Sequence, residues 1–109
     1  VDLPPNESVA VREFASWLRE RFGSRVRQVA LFGSRARGEG GEDSDVDVLV
    51  VVDELAGPEA REIGHAAGDT LTRYDVLVSP FAVSTARLDE LRARERLIAQ
   101  EIDRDAVPL

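Results

Sequence analysis

Apolar positions along the chain follow two rhythms. In "NESVAVREFASWLRERFG" the residues Val11, Phe14, Ala15, Leu18 and Phe22 recur at helical spacing, which predicts an amphipathic first helix with Asn6 or Ser8 as its cap and Gly23 as its stop. "VRQVALF" is rich in strand formers and ends at Gly33, so it reads as a strand feeding a turn. Residues 35–44 place Gly38, Gly40 and Gly41 among charges, the composition of an exposed loop with one helical turn at its start. "DVDVLVVV" is a second strand, and the unbroken apolar run over residues 48–52 is that of a strand covered on both faces. Pro58 opens a helix reaching about residue 72, with Ile63, Ala66, Ala67 and Leu71 on one side. "YDVLVSP" reads as a third strand ended by Pro80. From Ser84 as N-cap, "TARLDELRARERLIAQEIDRD" predicts one last helix with Leu88, Leu91, Ile98 and Ile102 inward. The order helix, strand, strand, helix, strand, helix predicts an α/β (α+β) fold, a small mixed sheet flanked by helices. With 109 residues and no internal repeat or linker, residues 1–109 read as a single domain.

Charge narrows the function. Fourteen basic against 21 acidic residues leave a net charge of −7, the wrong balance for a general phosphate-backbone binder, so no direct nucleic-acid binding is expected. The absence of cysteine excludes disulfides and thiolate metal sites. No apolar stretch approaches the roughly 18 residues of a membrane span and no signal peptide is visible, so a cytoplasmic location is the default. Methionine is missing even at position 1, which suggests a processed or trimmed start.

The strand "DVDVLVVV" carries the chemistry. Side chains alternate across a strand, so Asp45 and Asp47 point the same way, about 7 Å apart, on the face continued by Leu49 and Val51. Bare carboxylates leading into a buried strand are costly, but a divalent cation offsets the cost, and Mg²⁺ is held by one or two carboxylates together with substrate phosphates. Upstream, Gly33 and Ser34 end the first strand in a turn where the missing Cβ lets backbone N–H groups approach a phosphate and the Ser34 hydroxyl adds a donor. Arg35 and Arg37 place positive charge beside that turn in an otherwise acidic chain. Asp75 opens the third strand much as Asp45 opens the second, and if the strands are neighbours the three carboxylates gather at one end. Two cations about 4 Å apart between an acidic cradle and a phosphate clamp are what two-metal nucleotidyl transfer requires.

Gly33-Ser34, ten intervening residues, Asp45-x-Asp47 and a later Asp75 resemble the nucleotidyltransferase superfamily related to DNA polymerase beta. The short chain and the "GSRARG" wording are similar to its minimal branch, the antitoxin partners of HEPN-domain toxins. The resemblance implies that Gly33 and Ser34 hold the terminal phosphates of ATP. It implies that Asp45 and Asp47 bind two Mg²⁺ ions, and that Asp75 completes one metal site and helps deprotonate the acceptor. It also implies transfer of AMP from ATP to a tyrosine of a HEPN-domain toxin in a hetero-oligomer. Two rival readings stay open: a non-catalytic antitoxin or binding module that masks its partner, and nucleotidyl transfer to a small molecule.

Other features read more plainly. Asp43, Asp45, Asp47 and Glu54 mimic a calcium loop, but Val48 occupies its obligatory glycine position. Glu39, Glu42 and Asp43 read as a solvated loop face, His65 as structural or exposed, Tyr74 and Trp17 as packing residues, and the arginines after residue 91 as a balanced solvated face.

Overall fold

The computed structural model describes residues 3–39 and 45–109. Gly40, Gly41, Glu42 and Asp43, expected in an exposed loop, lie outside the described residues. Helix α1 spans Pro5–Phe22, followed by a short 3₁₀ turn (Gly23–Arg25), strand β1 (Val26–Leu31), a single helical turn α2 (Gly33–Ala36) and strand β2 (Val46–Val52). Helix α3 (Gly57–Tyr74), strand β3 (Val78–Val83), helices α4 (Thr85–Ala93) and α5 (Leu97–Asp105) and the two-residue strand β4 (Val107–Pro108) complete the order.

The strands form one mixed sheet in the order β3-β2-β1-β4. β1 runs antiparallel to β2 and β4, whereas β2 and β3 are parallel and joined through α3. Alternation along β2 splits the core in two. Val46, Val48, Val50 and Val52 pack with Val11, Phe14, Leu18 and Ile63 under α1 and α3. Leu49 and Val51 pack with Ala30, Phe32, Leu88 and Ile102 under α4 and α5. Both faces of β2 are therefore covered, as its unbroken apolar run predicts.

Several boundaries differ from the pattern-based expectations, each for a local reason. The N-cap of α1 is Pro4, and Asn6 and Ser8 lie within the helix: a proline-led start needs no side-chain cap, because the first N–H groups are free in any case. In α3 the inward row is Ile63, Ala67 and Thr70, and Leu71 is 47% exposed. The Thr70 hydroxyl donates within the buried interior, 2.6 Å from the Ala67 carbonyl and 2.8 Å from that of Val76, tying the helix end to the chain leading into β3. The last helix is two helices. Glu95 adopts a left-handed φ of 53°, and the Arg96 N–H reaches back to the Leu91 carbonyl at 3.0 Å, a helix-ending pattern that turns the chain before α5 begins. Ser84 caps α4 as predicted, its hydroxyl accepting from the Arg87 N–H at 3.0 Å.

Pro80 lies inside β3 instead of ending it. The Val46 N–H donates to the Leu77 carbonyl, and in a parallel ladder alternate residues direct both backbone groups to the same side. Leu77, Ser79 and Phe81 thus turn theirs toward β2, and the Pro80 nitrogen lies on the outer edge, where no ladder bond is lost.

Leu49 is fully buried at the centre of the second core cluster. Leu49→Ala is expected to cost about 2–5 kcal/mol, measured as a lower midpoint in urea unfolding with little change in slope.

Candidate nucleotide site

The site is built where β1 ends. Phe32 is extended, donates its N–H to the Asp47 carbonyl at 3.1 Å, and packs its ring edge-on against Phe81, with centroids 6.5 Å apart. Gly33 follows with φ +71°, a conformation that favours glycine. A Cβ on Gly33 would stand 2.5 Å from Asp47 Oδ2, so the acid lies directly against the turn because position 33 has no side chain. The carbonyls of Gly33, Ser34 and Arg35 are then closed by the N–H groups of Arg37, Gly38 and Glu39 at 2.8–3.3 Å.

Asp47 lies on the face of β2 that Leu49 and Val51 continue, close enough to Glu101 of α5 to feel its charge. Asp45 is exposed at the mouth of β2 and Asp47 is half-buried. Burial first, then the charges of Asp45 and Glu101, push the Asp47 carboxyl above its ordinary range. A half-buried acid repelled by two others and lying against a glycine turn is a donor set of hard oxygens with unbalanced negative charge, and it fits a divalent cation such as Mg²⁺.

Three of the predicted positions fall elsewhere. Asp75 does not open a strand: it is the exposed C-cap of α3 in a left-handed conformation, three residues before β3. It lies at the same end of the sheet as Asp45. The register, however, pairs Asp47 with Ser79, so β3 offers a hydroxyl beside Asp47 where a third carboxylate was expected. Among the described residues, no three acidic or histidine side chains are grouped closely enough to hold one ion. Arg35 was expected at the phosphate. It forms a buried ion pair with Glu7 of α1, its Nε 3.0 Å from Oε1 and Nη2 donating to Oε2 at 3.3 Å. Arg37 is engaged by α5, its Nη1 2.7 Å from Asp105 Oδ2 and 4.0 Å from Glu101 Oε1.

Sequence reasoning missed Glu7, Glu101 and Asp105. Glu101 and Asp105 are four residues apart, one helical face, but nothing in the chain told which element that face would meet. His65 is exposed and Trp17 partly buried, its ring edge-on to Phe22 at 6.1 Å. The Tyr74 hydroxyl donates to Glu13 on α1, and that bond holds the phenol above its usual value. Among the described residues no helix is long and apolar enough to cross a membrane.

A family model of the nucleotidyltransferase domain matches residues 11–103, and the chain belongs to that family. Within it, the chain is similar to MJ0141 of Methanocaldococcus jannaschii, provisionally named a protein adenylyltransferase, with 35% identity over 74% of this chain and 87% of that protein. It is also similar to the protein adenylyltransferase MntA of Thermococcus cleftensis, 60% identical over 35% of this chain. That match spans only 36% of MntA, and a further M. jannaschii relative is matched over 48% of its length. A solved structure provisionally described as a minimal nucleotidyltransferase superposes over the whole of both chains with a TM-score of 0.62 at 28% identity. A toxin-antitoxin crystal structure with AMP-PNP shares the fold, with a TM-score of 0.59 at 20% identity over 88% of this chain and 69% of that one.

Two outcomes test the site. Because the folded-state value of Asp47 is raised, its ionisation opposes folding above that value, and the cost disappears as acid protonates it. Asp47→Asn should therefore melt higher than the wild type at pH 7 without divalent ions, with the gain shrinking as pH falls through the carboxylate range; a lower melting point would contradict the account. Glu7→Gln removes a charge partner of the buried Arg35 and should lower the midpoint of chemical denaturation.

Proposed function

We propose that the chain is a Mg²⁺-dependent protein adenylyltransferase that moves AMP from ATP to a tyrosine hydroxyl of a HEPN-type toxin and so acts as its antitoxin. The observation that carries this reading is Asp47 lying against the Gly33 turn, with the charge of Asp45 acting on the same carboxyl. Its class is supported by the family and by relatives named protein adenylyltransferases. The toxin partner is suggested by the shared fold of the toxin-antitoxin structure.

In this reading Gly33 and Ser34 receive the terminal phosphates through backbone N–H groups and the Ser34 hydroxyl. Asp45 and Asp47 would hold Mg²⁺, which when bound neutralises phosphate charge and lowers the pKa of a coordinated hydroxyl. The acceptor oxygen attacks the α-phosphorus, the bond to the β-phosphate oxygen breaks, pyrophosphate leaves, and the acceptor proton passes to a base or to solvent. A phenol of pKa about 10 needs such help at neutral pH. Asp75 remains the sequence candidate for the base, but its place at the α3 cap weakens it.

One observation favours the masking alternative: β3 sets Ser79, not an acid, beside Asp47. The two readings separate cleanly. With labelled ATP, Mg²⁺ and a HEPN-type toxin, the wild type should label the toxin. Asp45→Asn and Asp47→Asn should each reduce labelling about 100-fold or more, while Asp75→Asn should retain most of it. Toxin neutralised equally well by the Asp45→Asn/Asp47→Asn protein would establish masking instead.

A further inference from the structure

Helix α2 is four residues long, too short to persist on its own hydrogen bonds. Its shape is imposed from outside, by an arginine on each side. Arg35 reaches back to Glu7 on α1, and Arg37 reaches forward to α5. Arg37 is the more telling of the two, because it is fixed at both ends. Its backbone N–H closes the turn on the carbonyls of Gly33 at 3.3 Å and Ser34 at 3.2 Å, while its guanidinium donates to Asp105 at 2.7 Å and to Glu39 at 3.3 Å. Asp105 is well placed to hold it. Its side chain is only 6% exposed, and Arg104 and then Arg37 keep its carboxyl down at about 2. α5 is itself seated, with Ala99 and Ile102 buried and Ile102 sharing a core cluster with Phe32, the residue before the turn.

We propose that the Arg37–Asp105 ion pair is a positioning clasp that sets the Gly33–Ser34 turn against Asp47, so that a nucleoside triphosphate meets a preformed cradle. This rests on reading the site as a nucleotide site. Neither residue touches the ligand. Arg37 acts through the backbone of the turn, Asp105 acts through Arg37, and α5 thereby becomes part of the nucleotide site without contributing a ligand. Arg37 was expected to meet phosphate directly; the clasp gives its charge a different use.

The experiment measures binding of a fluorescent ATP analogue with Mg²⁺, beside hydrogen exchange of the turn-closing amides of Arg37, Gly38 and Glu39 without nucleotide. Arg37→Gln and Asp105→Asn should each weaken binding about tenfold or more, raise KM for ATP more than they lower kcat, and speed exchange at those amides while α3 keeps its protection. The double variant should bind no worse than Arg37→Gln, because Asp105 acts on the turn through Arg37. Asp105→Glu, which can re-form the pair, should recover most of the affinity. The clasp is overturned if Asp105→Asn binds like wild type while Arg37→Gln does not, since Arg37 would then meet phosphate itself. It is overturned equally if the two losses multiply, or if Asp105→Asn leaves exchange at the turn unchanged. Failure of the wild type to bind the analogue would refute the nucleotide site, and the exchange rates would still decide the clasp.

Discussion

The contact between Gly33 and Asp47 is the constraint on which the site depends. A carboxylate on β2 and a turn at the end of β1 can come this close only because position 33 carries no side chain: one more carbon would sit 2.5 Å from the acid oxygen. The left-handed φ of Gly33 is the second half of the same requirement. Antiparallel pairing of β1 with β2 fixes both partners in place, with Leu31 opposite Val48 and the Phe32 N–H bonded to the Asp47 carbonyl. The turn and the acid are thus set by one sheet register, and a slip of one residue would turn Asp47 toward α1 and α3.

This closeness works against folding. Asp47 is crowded by burial, by Asp45 and by Glu101, and all three effects favour its neutral form. The remainder of the fold absorbs that cost. Among the described residues nine large side chains lie essentially out of solvent, five of them on β2 itself. Glu59, held down to about 2 by Arg25 and by the Ala56 N–H, anchors the start of α3 on the far side of the sheet from the repulsion. The acid pair is tolerated because the strand beneath it is among the best packed parts of the chain.

How much was legible in the sequence depended on range. Strand alternation assigned Asp45, Asp47, Leu49 and Val51 to one face, and the segregation of the core bears that out for Leu49 and Val51. The Gly33 turn was readable because glycine at a strand end has few other uses. What failed was register and pairing. Nothing local to "YDVLVSP" says that α3 runs through Tyr74 and that the strand waits until Val78, and those few residues move Asp75 off the sheet and bring Ser79 beside Asp47. The arginines misled for a related reason. Their charge suggested phosphate, but Glu7 and Asp105 lie 28 and 68 residues from them in the chain, and tertiary packing alone made them partners. The split of the last helix at Glu95 followed a backbone conformation that a non-glycine residue seldom announces.

Pro80 has a consequence for assembly. β3 is the outer strand of the sheet, and the imide nitrogen at its midpoint faces outward with no hydrogen to donate. A foreign strand aligning there would find an acceptor left dangling in the middle of its ladder. Growth of the sheet into its neighbours is therefore disfavoured on this flank.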